Sequence, residues 1–156
     1  MAKLLIYLTK MHLNYTLLIG ILILLFSCDS KNVSTQKDST IDIAAVLDSQ
    51  VVAWNKADLK GFMAGYEKSD SLQFITKRGR TLGWEKVYNS YISHYPTKKE
   101  MGTLHFKNLI IKPMSDSLAQ VYGNWLLVKD TNAEGNFSLI MKRKRDGWKI
   151  IVDHTW

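Results

Sequence analysis

Acid–base chemistry in this chain has few side chains to draw on. Imidazole is the group whose ordinary titration lies nearest neutrality, and the histidines are His12, His94, His105 and His154. His154 stands near the end of FSLIMKRKRDGWKIIVDHTW (137–156). That stretch reads as two strands folded about Asp146-Gly147, a dipeptide that tolerates the positive φ of a tight hairpin turn. Strict alternation along the last strand puts Trp148, Ile150, Val152, His154 and Trp156 on one face. Lys149, Ile151, Asp153 and Thr155 fall on the other. His154 thus lies among apolar neighbours, either as a proton-transfer group or as a histidine hydrogen-bonded at a strand end. Asp153 points the opposite way and cannot orient it as a triad aspartate would.

Other chemistries find less support. No serine or cysteine motif offers a nucleophile. The histidines lack the spacing of a metal site, though two-histidine, one-carboxylate coordination from His105, His154 and one acid is conceivable. No metal and no cofactor is expected. The run Lys142-Arg143-Lys144-Arg145 spans both faces of a strand end. It is therefore read as a solvated hairpin end, not as the contiguous basic stripe that nucleic acid calls for.

The elements that must hold these groups follow from periodicity. Ile43, Val46, Leu47, Gln50, Val51 and Trp54 form a helical stripe beginning near Thr40 and ending at Asn55. Asp58 caps a second, short helix with Leu59, Phe62, Met63 and Tyr66 on its buried side. A short strand, Leu72 to Thr76, turns at Arg78-Gly79 and returns over Arg80 to Leu82. A third helix from Gly83 to Tyr95 carries Trp84, Val87, Tyr88, Tyr91, Ile92 and Tyr95 on one face and stops before Pro96. Four strands follow: Thr103–Lys112, Leu118–Lys129, Asn136–Arg145 and Trp148–Thr155. Helices first and then a run of strands is an α+β order.

The N-terminal end has a different character. The net charge of the 156-residue chain is +7. Lys3 and Lys10 are the only strong bases in the first 28 residues, which hold no acid, so the remainder carries +5. A bias of that size favours anionic surfaces without specifying a partner. The apolar run Leu17 to Phe26, preceded by Lys10 and followed by Ser27, has the layout of a signal peptide. It is shorter than the roughly 20 residues of a membrane span. Leu25-Phe26-Ser27-Cys28 resembles the lipobox of bacterial lipoproteins, in which the cysteine is acylated. Cys28 is the only cysteine, so a disulfide framework is excluded. The expected layout is a signal over 1–27, the lipidated Cys28 and a flexible tether over 28–39, and one domain over 40–156. Such a protein is anchored to a bacterial membrane outside the cytoplasm, facing the periplasm or the cell surface.

Two segments carry a wider resemblance. AWNKADLKGFMAGY (53–66) resembles the linked first and second helices of the nuclear transport factor 2-like superfamily. GNFSLIMKRKRDGWKIIVDHTW (135–156) resembles the final hairpin of its uncharacterised branch. Its members include ketosteroid isomerases and polyketide cyclase-like proteins. The similarity runs from Ile41 to Trp156. It implies three N-terminal helices packed on a strongly curved antiparallel sheet, forming a cone with an internal pocket, and dimers through the outer sheet face. It also implies that Trp54, Tyr66, Trp84, Tyr88, Tyr91 and Trp125 lie in the core or the cavity, joined there by His154. The steroid isomerase groups do not carry over: their places fall near Gln50, Ile75 and Leu139 to Met141, which are not the required tyrosine and acids.

The functional expectation is a lipid-anchored domain that binds a small, mostly apolar ligand or a partner segment in an aromatic pocket. One alternative is an enzyme of isomerase, dehydratase or hydrolase type using His154, with a tyrosine such as Tyr91, as acid and base. A second is a non-catalytic homodimeric or interaction module.

Overall fold

The computed structural model describes the backbone from Ser30 to Trp156 and side chains from Asp38 onward. Cys28 and the signal segment lie outside the described residues. No helix among the described residues is long and apolar enough to cross a membrane. Residues 36–156 form one compact unit.

Helix α1 (Ser30–Asn55) supplies the first packed face. Ser39, Ile43, Leu47, Gln50 and Trp54 are all buried, at the three- and four-residue spacing of a single stripe. The helix begins well before the expected Thr40, so residues 30–39, read from sequence as a tether, are helical. The physical reason is that they contain neither Gly nor Pro. Once the Ile43 end is nucleated by packing, extension toward the N-terminus adds one hydrogen bond per residue. Asn55 ends α1 and clasps the start of a strand: its Nδ2 donates to Leu104 O at 3.1 Å, and Leu104 N donates to its Oδ1 at 2.7 Å.

Asp58 caps α2 (Leu59–Met63) by accepting from Gly61 N at 2.8 Å. The hairpin β1 (Gln73–Thr76) and β2 (Gly79–Leu82) follows, then α3 (Trp84–His94). A further short helix, α4 (Lys98–Met101), opens with a capping box between Thr97 and Glu100. The strands β3 (Thr103–Ser115), β4 (Leu118–Val128), β5 (Ala133–Lys144) and β6 (Gly147–Thr155) complete the chain. The order in the sheet is β2-β1-β6-β5-β4-β3. All pairs are antiparallel except β1 with β6, which is parallel. The sheet is curved and unclosed, with the helices on one side.

The pairing shifts register at three places, two of which bear on the site. In β3 the register shifts between Lys107 and Ile110, with Asn108 at a φ of 52°. Opposite this bend stands Gly123, where a Cβ would come within 2.6 Å of Phe137 Cζ and 2.8 Å of Leu109 Cδ2. Only glycine lets the inner side chains close over the bend there. In β6 the register shifts between the pairs Ile140–Val152 and Met141–Ile150, so Ile151 is an extra residue with no partner of its own. That bulge decides where the strand's last side chains face.

Candidate functional site

Upstream of Ile151, β6 buries Trp148 and Ile150, as alternation requires. The bulge inserts one residue and inverts the alternation beyond it. Asp153 is therefore buried, at 6% exposure, and His154 is exposed. The expected assignment of these two neighbours is reversed. The His154 ring stands outside the cavity against Trp156, their centroids 4.8 Å apart.

The segment after α2 brings the partner of Asp153. Ile150 N donates to Gly65 O and Glu67 N donates to Ile150 O, both at 2.9 Å, and Tyr66 bridges to Ile150 in parallel. Beyond this short link β1 takes over the same edge of β6, with Phe74 opposite Asp153. The Tyr66 hydroxyl donates to Asp153 Oδ2 at 2.7 Å. Asp153 Oδ1 is buried and has no hydrogen-bond partner among the described residues. A buried acceptor left open in this way carries a desolvation cost on the order of 1–3 kcal/mol, which a ligand donor would relieve.

Burial pushes the Asp153 carboxyl up to about 7, against the smaller downward pull of the Tyr66 hydrogen bond. The group therefore exchanges its proton near neutrality, in a place shielded from water. Burial also holds the phenols of Tyr66 and Tyr91 well above their ordinary value, and the nearby Asp153 charge adds to the effect. Both stay neutral hydrogen-bond donors throughout the range in which Asp153 titrates.

The acid sits in the wall of a cavity of about 600 Å³ between the sheet and the helices. This lies within the range of small-molecule sites. Its aromatic wall is built from edge-to-face contacts around Tyr91, whose ring centroid is 5.9 Å from Trp54, 5.3 Å from Phe62 and 5.7 Å from Phe74. Trp54 is held by its Nε1, which donates to Met101 O at 3.1 Å. On another wall Trp125 Nε1 donates to Thr155 Oγ1 at 2.9 Å. Trp54, Tyr66, Tyr91 and Trp125 thus line the cavity.

Trp84 and Tyr88 do not. Trp84 is buried with its Nε1 donating to Met63 O at 3.1 Å, and Tyr88 tilts against it with centroids 5.0 Å apart. Both lie on α3 away from the cavity, whose lining on that helix is Val87, Ser90, Tyr91 and His94. His105 is exposed on β3, paired with Leu126, and no group of metal-ligating side chains exists among the described residues. Strand parity alone missed Asp153. The available signal was the run Ile150-Ile151-Val152, three apolar β-branched residues in a row, which a strand with one wet face cannot accommodate without a break in its alternation.

No protein-family model matches the chain, and no curated protein matches it either. Solved structures do. A putative scytalone dehydratase from Novosphingobium aromaticivorans is 12% identical, covering 79% of this chain and 86% of its own, with a TM-score of 0.63. A ketosteroid isomerase-like protein from Erwinia carotovora is 16% identical, covering 72% and 91%, with a TM-score of 0.57. At these identities the likeness is one of fold. An NTF2-like protein of unknown function from Shewanella oneidensis is 34% identical over 74% of this chain and 97% of its own, with a TM-score of 0.71. Identity at that level, across nearly the whole of that relative, shows that this chain belongs to the nuclear transport factor 2-like superfamily.

Proposed function

We propose that the domain binds a small, mostly apolar molecule bearing a carbonyl or hydroxyl group and moves a proton on it. The reaction class is isomerisation or dehydration. The observation that carries this reading is the Asp153 carboxyl, buried in the cavity wall with Oδ2 held by Tyr66 and Oδ1 open. In this role Asp153 is the acid–base group through Oδ1. Tyr66 is a positioning residue that fixes the carboxyl. Tyr91, a neutral phenol beside both, donates to oxygen as negative charge develops there. A carboxyl that titrates near 7 suits this work, because both its forms are populated at neutral pH.

Hydrogen–deuterium exchange at the acidic carbon of 2-tetralone, an apolar ketone, tests the proposal. NMR in D₂O should show exchange accelerated by the wild type and lost in Asp153→Asn. Tyr91→Phe should slow it by about tenfold or more. The rate should rise with pH through about 7 as the carboxylate forms. Exchange no faster than in buffer, or equal in Asp153→Asn, would remove the catalytic reading.

We also propose that the domain works while tethered to a bacterial membrane through acylated Cys28, on the strength of the Leu25-Phe26-Ser27-Cys28 segment. A fatty-acid analogue should label the wild type in bacterial cells and not Cys28→Ala. Equal labelling of both would refute the anchor.

A further inference from the structure

The mouth of the cavity differs from its floor. Lys77 and Arg78, from the β1–β2 turn, Arg80, from β2, and His94, from the last turn of α3, are exposed and line it. His94 Nδ1 lies 2.8 Å from Ser90 O, an acceptor only, so this nitrogen carries the proton. His94 Nε2 is then the acceptor for Arg78 Nη1 at 3.1 Å. One arm of the guanidinium is thereby fixed at the mouth, and its remaining donors are left for something else. None of Lys77, Arg78 and Arg80 is ion-paired to a carboxylate among the described residues. Arg78 also acts on Tyr95 in the cavity wall, opposing the rise that burial imposes on that phenol. The acids that line the same cavity are Asp153, buried in the wall and titrating near 7, and the exposed Glu134.

We infer that the ligand is an anionic amphiphile: an apolar body enclosed by the aromatic wall, ending in a carboxylate, sulfate or phosphate held at the mouth by Arg78 and Arg80 with Lys77. The inference rests on the reading of the cavity as a ligand site. A planar guanidinium with one nitrogen already anchored keeps donors for a planar or tetrahedral oxyanion. An apolar wall ending in cations selects for a molecule with that same polarity along its length. A neutral steroid-like or terpenoid-like ligand would draw nothing from those exposed cations.

Two fluorescent probes separate this inference from the reading beneath it. The sulfonate 8-anilino-1-naphthalenesulfonate and the neutral N-phenyl-1-naphthylamine share one ring system and differ in the anion. Titrated into the full chain, the sulfonate should bind about tenfold more tightly than the neutral probe. Arg78→Ala/Arg80→Ala should cost the sulfonate about tenfold and leave the neutral probe within about twofold. Lys107→Ala/Lys112→Ala, which removes the same charge from exposed strand positions outside the cavity, should change neither. On the wild type alone, added sodium chloride should weaken the sulfonate and not the neutral probe. If the neutral probe binds and the sulfonate binds no better, or if both double variants weaken the sulfonate equally, the anion site is refuted and the apolar cavity stands. If neither probe binds, the cavity reading falls and the anion site falls with it.

Discussion

Asp153 sets the character of the molecule at the scale of single residues. Its folded titration lies near 7, above the ordinary value of 3.8, because burial penalises the carboxylate. The sign of the linkage follows. A raised folded value means that the native state holds its proton longer than the unfolded chain. The stability this contributes is fully present below about pH 4 and is lost as the pH rises through about 7. The difference across that window is on the order of 4 kcal/mol. Asp153→Asn keeps the shape and an acceptor for Tyr66 but removes the charge. Melting profiles of the two proteins should therefore diverge as pH rises from 4 to 8, the wild type falling by more than roughly 10 °C relative to the variant. Parallel profiles over that range would mean that the carboxyl is not held in this environment. Much else at this scale was legible in the chain. Asp58 reads as a cap because an acceptor must meet the free N–H groups of a helix start, and it is one. Trp54 and Tyr91 read as inward-facing from their helical spacing, and they line the cavity.

Elements decided which of these residues could meet. Periodicity found α1, α3 and the four long strands, and the Arg78-Gly79 turn signal marked the β1–β2 hairpin, whose strands are half-buried or exposed throughout. It left out α4, although Thr97 and Glu100 spell its capping box, because four residues are too few to show a period. It also missed the parallel pairing of β1 with β6, since partners distant in sequence leave no local mark. The bulge at Ile151 mattered most. Alternation is a reliable guide only while each residue has a partner, and one unpaired residue exchanges the faces of everything beyond it. Thiol accessibility reads the result directly. In a Cys28→Ser background, His154→Cys should react freely with a charged maleimide, and Asp153→Cys should react at least about tenfold more slowly. The reverse order would restore the regular strand.

The whole domain can be described as a polarity gradient. Sheet curvature and the helices enclose an aromatic cavity, a single carboxyl lies buried in its wall, and cations gather at its mouth. The family was legible in the sequence because the folding pattern, with its caps, turns and spacing, is spread over the whole length. The site was not, because it depends on three segments far apart in sequence: Gly65 to Glu67, Tyr91 and Asp153. They meet only through the bridge to Ile150 and the bulge that follows it. Family membership alone does not supply the chemistry either; here the buried carboxyl enters from β6. The proton-transfer reading therefore depends on Asp153 being a buried, exchangeable proton site. The ¹³C resonance of its carboxyl carbon, assigned by comparison with Asp153→Asn and followed from pH 3 to 9, reports this without any ligand. A midpoint near 7 is the expected result, and a midpoint near the ordinary 3.8 would contradict the account.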